Sequence, residues 1–360
     1  MKYNVLILGA SYGSLFSTKL LMAGHSVSLV CTRPTADLIN REGTVVRFPI
    51  KGRQSLLDVA SKELPGMLAA TTPDDVDPSR FELIVLGMQE AQYGSPGVRE
   101  LMGRVVKTGA PCLAIMNMPP LAYLKRIPSL AHRASIEAIE PCFADPRVWD
   151  GFDPNLTTLA SPDPQAFRPP GQPKNVLQVG LPTNFKAARF GAEQPTLLLR
   201  QLEADIEAAR FGASDGSIEV PVKLKVHDSP FVPLAKWPML IAGNYRCIRQ
   251  GDMIPIKEAV HASPDKSREI YDWVCKLCIG LGAEAADLVP FEKYAQAAEG
   301  LTKPSSAARA LFGGAEHIER VDCLIRRIAV QQGLQSPALD EIVALVDERL
   351  AKNRAAAKRQ

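Results

Sequence analysis

Val5-Leu-Ile-Leu-Gly-Ala-Ser-Tyr-Gly-Ser-Leu-Phe-Ser-Thr-Lys-Leu-Leu-Met-Ala-Gly-His-Ser-Val-Ser-Leu-Val30 decides the fold. Residues 5–8 are a continuous apolar run, the pattern of a parallel strand buried on both faces. Gly9 and Gly13 frame a turn. Leu15, Leu20 and Leu21 then give a helical stripe, and Ala23-Gly24-His25 reads as its stop, with His25 exposed at the helix end. Residues 27–30 are a second buried strand. Strand, glycine turn, helix and strand form the first βαβ unit of a dinucleotide-binding sheet, where backbone N–H groups at a helix N-terminus hold a pyrophosphate. The usual fingerprint is G-x-G-x-x-G. Gly9-Ala-Ser-Tyr-Gly-Ser14 keeps the first glycine, puts Ser11 in place of the second, and brings Gly13 one place early. A shortened turn accommodates this, because Gly13 stands twelve residues before His25, a normal helix length. Gly9, Ser11, Tyr12, Gly13 and Ser14 are the candidate cofactor turn. The competing reading is a turn that uses glycine only for tightness.

Working outward, the second strand leads into Cys31-Thr32-Arg33-Pro34. An NAD site usually places an acid here, on the ribose hydroxyls. None is present, and Thr32 and Arg33 offer donors for the 2′-phosphate of NADP instead of NAD. Residues 37–43 read as a short helix and 45–50 as an edge strand. Residues 81–87 are the next central strand, followed by the loop Met88-Gln89-Glu-Ala-Gln-Tyr93 at its C-terminal end, where ligands bind in such sheets. Residues 98–106 read as a helix and 112–116 as another buried strand. That strand ends in Asn117, placed to bond cofactor or substrate, or else to cap a turn. Residues 140–195 are rich in Pro, Gly, Asp and Asn and predict short hairpins and loops. A helix follows over 196–211 and a strand over 218–226. From 231 the pattern is helical, with segments at 233–248, 263–281, 302–313, 315–333 and 337–352. The expected fold class is α/β: an N-terminal Rossmann doubly wound sheet (1–228) and a C-terminal all-helical domain (229–360), with the active site in the cleft between them.

The chain has 360 residues, 46% of them hydrophobic, enough for two cored domains. A net charge of +3 without an aromatic-laced basic patch gives no sign of a nucleic-acid partner. The basic run at 352–360 reads as a solvated helix end. Seven cysteines, mostly in apolar segments, suggest buried thiols in a reducing, cytoplasmic setting. Cys275-Lys-Leu-Cys278 lies in a helical pattern and reads as two core or half-buried thiols. No apolar run reaches membrane-spanning length, and the N-terminus leads straight into a strand without a signal peptide. His25, His132, His227 and His261 have no metal-ligand spacing, so no metal is expected, and no G-x-S-x-G nucleophile turn occurs.

The order of these motifs resembles the ketopantoate reductase (2-dehydropantoate 2-reductase) family over nearly the whole chain. Gly13-Ser-Leu-Phe-Ser-Thr-Lys-Leu20 with Ala23-Gly-His25 is similar to the family's first helix. The loop after Leu86 and the strand-end Asn117 match family positions. Leu234-Ala-Lys236 with Asn244 eight residues on resembles the first helix of the family's second domain. The resemblance implies Lys236 as the catalytic lysine, Asn244 as a substrate contact, Ser305 and Ser306 as a substrate-contacting pair, and Glu316 or His317 at a catalytic glutamate position. It also implies a 6-phosphogluconate dehydrogenase-like helical domain that often dimerises, which makes a homodimer plausible. The chain departs from the family in several places. Gln89 stands at the catalytic-loop lysine, a cofactor contact. Leu240 and Ala310 replace an Asn and an Asp, and Thr32 falls where the phosphate-reading Arg is usual, one place before Arg33. These changes point away from ketopantoate itself.

The expected chemistry is hydride transfer between a nicotinamide and a 2-oxo acid or related carbonyl, with Lys236 as general acid. Its neighbours Leu234, Trp237, Met239, Leu240 and Ile241 are unusually apolar for a surface lysine. Two rivals remain: an opine-type dehydrogenase acting on an imine, and a nucleotide-binding protein without catalysis.

Overall fold

The structure is a computed structural model that describes residues 1–162, 166–180, 183–213 and 216–358. The chain divides into two compact units. The first comprises Met1–Met88, Gln92–Tyr123 and Arg147–Asp228; the second comprises Gln89–Ala91, Leu124–Pro146 and Ser229–Gln360.

The first unit is built on strand β1 (Asn4–Leu8), helix α1 (Tyr12–Met22), strand β2 (Ser26–Val30) and helix α2 (Arg33–Glu42). Residues 5–8 are wholly buried, as a two-sided parallel strand requires. β1 pairs in parallel with β2 on one side and with Leu83–Leu86 on the other. Beyond β2 lies Leu68–Thr71, and beyond Leu83–Leu86 lie Cys112–Ile115 and Thr157–Pro162, all parallel. Thr183–Ala188 is antiparallel to Thr157–Pro162, and Val222–His227 closes the edge. The chain runs outward from β1 through β2, then returns to Leu83–Leu86 on the far side of β1. That reversal is the switch point at which doubly wound sheets bind ligands.

Three local expectations change. His25 is fully buried, not exposed. Its Nδ1 accepts the Tyr3 N–H at 3.2 Å, its Nε2 lies 3.2 Å from the Asp205 carboxylate, and its ring stacks on Tyr3. Val45–Phe48 is an interior strand of a second, four-stranded sheet, because Val46 and Phe48 bury one face while Leu57–Ala60 and Val176–Val179 pair on either side. The loop-rich stretch 140–195 contributes Thr157–Pro162 and Thr183–Ala188 to the main sheet; Thr157, Thr158, Leu159 and Ala160 are all buried there. Residues 163–165 and 181–182 of that stretch lie outside the described residues.

The second unit is helical. Pro264–Gly280, Phe291–Ala298, Ser306–Phe312, Val321–Gln331 and Pro337–Ala357 are its main helices after residue 263. The last of these carries the basic tail, whose residues 359 and 360 lie outside the described residues. Ser336 caps its start by accepting the Leu339 N–H. The unit also reaches back to Leu124–Pro146, which the sequence reading placed with the first domain. The Arg133–Ile139 helix packs there on Val321–Gln331, and Arg327 donates to the Ala138 carbonyl at 3.0 Å. Cys275 is half-buried and Cys278 buried, and burial raises both thiols, Cys275 to about 11. They are inert helix-core thiols and not a redox pair. Among the described residues no helix is long and apolar enough to cross a membrane, and no cluster of three metal-ligating side chains occurs.

Candidate functional site

The candidate site of the first unit is the C-terminal edge of the parallel sheet. Gly9 follows β1, Thr32 follows β2, Gly87 follows Leu83–Leu86 and Asn117 follows Cys112–Ile115. Parallel strands deliver these residues to one edge.

Gly9 has φ +104°, open to glycine but strained for other residues. A Cβ there would lie 2.7 Å from Met88 Cγ and 2.9 Å from the Gly87 carbonyl oxygen. Gly13 has a different job: a Cβ would meet Ile7 Cγ2 at 2.8 Å, so its lack of a side chain lets α1 lie directly on β1. These are the tasks of the first and last glycines of a dinucleotide fingerprint. Ser11 caps α1 without a side-chain hydrogen bond, which leaves its hydroxyl uncommitted to the helix. Ser14 is buried, and its hydroxyl donates to the Ala10 carbonyl at 2.5 Å, fastening the turn from within. Tyr12 begins the helix. The first-turn N–H groups of a helix have no intrahelical acceptor and carry the positive end of its dipole. A turn opened by a glycine and feeding such an N-terminus fits a nucleotide pyrophosphate.

Thr32 caps α2 in extended conformation, and its hydroxyl donates to Thr35 Oγ1 at 3.0 Å. Arg33 opens the helix, and its guanidinium bonds the Asp75 carboxylate. Gln89 is exposed and belongs to the second unit, whereas Asn117 is half-buried in the first. Beside Gln89, Glu90 is buried, and both its carboxylate oxygens accept the Ala144 N–H at 3.2 Å.

The remaining sequence-predicted residues lie in the second unit. The expected helix over 233–248 is three pieces: a tight turn at Pro233–Ala235, an α-helical turn at Lys236–Met239 and a π-helical turn at Leu240–Tyr245. Lys236 is half-buried between Ala235 and Trp237. In a straight α-helix, residues eight apart are rotated by about 80°. The wider π turn rotates less per residue, which lessens that drift. Gly243 lets the Tyr294 hydroxyl pack against this turn, since a Cβ there would overlap it. That hydroxyl donates to the Met239 carbonyl at 3.0 Å.

Ser305 and Asn244 do come together. The Ser305 hydroxyl donates to the Asn244 carbonyl at 2.7 Å and accepts the Ala308 N–H at 3.1 Å, so it caps one helix while fixing another. Ser306 is exposed in the first turn of that helix. The helix expected over 315–333 begins only at Val321, because Gly313 and Gly314 end the preceding helix and the intervening chain is held in a non-helical path. Tyr245 does the holding: its hydroxyl donates to the Glu319 carbonyl and accepts the Val321 N–H at 3.1 Å. Glu316 and His317 are both exposed on this stretch, while Glu319 is buried. Sequence reading passed over Glu319, whose burial beside Ile318 is seen only in the structure.

A parallel Rossmann-like sheet followed by a helical region is the architecture of solved ketopantoate reductases. No protein-family model matches the chain, and no curated protein matches it. Solved structures do. A 2-dehydropantoate 2-reductase from Methylococcus capsulatus aligns at TM-score 0.66 and 14% identity, covering 97% of each chain. D-mandelate dehydrogenase, in a ternary structure with NADH and anilino(oxo)acetate, aligns at TM-score 0.64 and 12% identity, covering 98% of this chain and 99% of the other. A dimeric ketopantoate reductase from Staphylococcus aureus aligns at TM-score 0.58 and 11% identity, covering 97% and 99%.

Proposed function

We propose that this protein is a nicotinamide-dependent oxidoreductase of the ketopantoate reductase type, acting on a 2-oxo acid or related carbonyl. The observation that carries the reading is the Gly9 turn. It has positive φ, no room for a side chain, and a place at the sheet's switch point before a helix N-terminus. The neighbouring D-mandelate dehydrogenase, bound to NADH and an oxoacetate, supports the same cofactor and substrate class. In this reading the first unit, with Asp228 as its end, holds the cofactor, and the second holds substrate and forms the dimer contact.

A reduced nicotinamide, when bound, supplies the hydride. The first-turn N–H groups of α1 hold the pyrophosphate, with Ser11 and Tyr12 beside it, and Arg33 reads a ribose 2′-phosphate, favouring NADP. Asn117 and Gln89 line the cofactor's path. Lys236 donates a hydrogen bond to the substrate carbonyl oxygen and gives it a proton as negative charge develops. Asn244 positions the substrate, and Ser305 fixes Asn244 through its carbonyl. Glu319 joins Glu316 and His317 as a candidate second acid, because Tyr245 ties its backbone to the segment that carries Asn244.

The test is oxidation of NADPH and NADH in the presence of a panel of 2-oxo acids, each with and without ammonia or a primary amine. The reading expects turnover of a 2-oxo acid, and a loss of about 10²-fold or more in kcat for Lys236→Ala. Turnover only in the presence of an amine would favour the imine reading. An unchanged Lys236→Ala rate would remove the lysine from the mechanism.

A further inference from the structure

An acid stands beside the end of β2, in the turn that follows the neighbouring strand. β2 and Leu68–Thr71 pair in parallel with Val30 opposite Thr71, and the Cys31 N–H donates to the Thr71 carbonyl at 2.9 Å. The two chains therefore leave the sheet side by side, one into Thr32-Arg33 and the other into Thr72-Pro73-Asp74-Asp75. Thr72 is buried, and its hydroxyl donates to the Asp75 carboxylate at 2.7 Å. The Arg33 guanidinium bonds the same Asp75 oxygen and reaches Thr72 Oγ1 at 3.5 Å.

We propose that Asp75 is a cofactor-selectivity residue: it holds Arg33 and opposes a 2′-phosphate, so it restrains the NADP preference that Arg33 alone would give. The proposal rests on the reading that this edge of the sheet binds a nicotinamide nucleotide. The ribose of such a nucleotide lies at the end of the second strand. A 2′-hydroxyl there is a donor that a carboxylate accepts. A 2′-phosphate is an anion that must draw Arg33 away from Asp75 or share it, and it brings its charge beside a carboxylate. The hydrogen bonds from Thr72 and Arg33 hold the Asp75 carboxyl below its ordinary range, so it is ionised at neutral pH. One arginine favouring the phosphate and one carboxylate opposing it set the selectivity between them.

The test measures dissociation constants of NADPH and NADH by fluorescence titration of the full chain, for the wild type, Asp75→Asn and Asp75→Glu. Neutralising Asp75 is expected to shift the NADPH-over-NADH affinity ratio toward NADPH by about tenfold, the order expected of one charge removed near an exposed anion. Asp75→Glu, which keeps the charge, should stay within about twofold of the wild type. The shift should shrink at high salt, as a screened interaction must. Asp75→Ser carries the same expectation as Asp75→Asn and serves if the amide disturbs the turn. Wild-type binding with an unchanged ratio in both neutral variants overturns the role of Asp75 and leaves the oxidoreductase reading standing. Failure of the wild type to bind either nucleotide overturns both.

Discussion

Lys19 is the most exacting point in the first unit. It lies on α1, six residues after Gly13, and is 1% exposed. Its ammonium donates a hydrogen bond to the Ala209 carbonyl at 3.1 Å. Burial lowers its pKa from 10.5 to about 8; Arg210 adds to the depression, while Glu219 and Glu207 oppose it. That gap corresponds to about 3 kcal/mol disfavouring the charged folded state. Replacing Lys19 with methionine keeps the volume and removes the charge, at the loss of one hydrogen bond worth about 1 kcal/mol. Lys19→Met is therefore expected to stabilise the protein by about 2 kcal/mol at pH 7. The pH dependence gives a second signature. Between pH 8 and 10.5 the unfolded chain keeps the lysine proton more than the folded chain does, so wild-type stability rises with pH across that window. Below pH 8 the penalty is fully present. The difference between variant and wild type should thus be largest at pH 7 and nearly gone by pH 10. Urea unfolding of both proteins at several pH values measures it. A variant less stable than the wild type at pH 7, or a difference flat in pH, would refute the reasoning.

Two further predictions rest on buried polar groups. His25 has its pKa lowered by burial against the opposing pull of Asp205, so the unfolded chain takes up a proton first as pH falls below about 6.5. Stability should be fully present above that pH and fall below it by up to about 1.4 kcal/mol per pH unit, a slope that His25→Gln removes in denaturation at pH 7 and pH 5. Gly243→Ala puts a methyl group on the Tyr294 hydroxyl and should cost roughly 1–3 kcal/mol. Tyr294→Phe removes the obstructing atom, so the double variant should be less destabilised than the sum of the single ones by about 1 kcal/mol, as unfolding of the four proteins would report.

The fold was legible where hydrophobic pattern and glycine spacing agree. Residues 5–8 and 83–86 are continuous apolar runs of the kind a buried parallel strand needs, and the structure places them at the centre of the sheet. The second sheet and the strands within 140–195 were not legible, because short strands separated by proline and glycine look like loops until distant partners pair with them. Val176–Val179 pairs with Val45–Phe48, more than a hundred residues away, and no local signal announces it. His25 was misread for the same reason: its burial comes from Asp205, on a helix far along the chain. In the site, the residue types at Gly9, Arg33 and Lys236 were visible. The π turn was not, since the tyrosine hydroxyl that packs on its glycine comes about fifty positions later in the chain. Asp75 was hidden likewise, because only sheet pairing sets the end of Leu68–Thr71 beside the end of β2.

The central claim is that the Gly9 turn and the helix after it hold a nicotinamide nucleotide. Titration of the purified protein with NADPH and NADH, followed by fluorescence, tests it directly. Saturable binding of at least one nucleotide, lost when Gly9 is replaced by valine in a protein that still unfolds cooperatively, is the predicted result. A wild type that binds neither nucleotide would contradict the claim, as would a Gly9→Val variant that binds as tightly as the wild type.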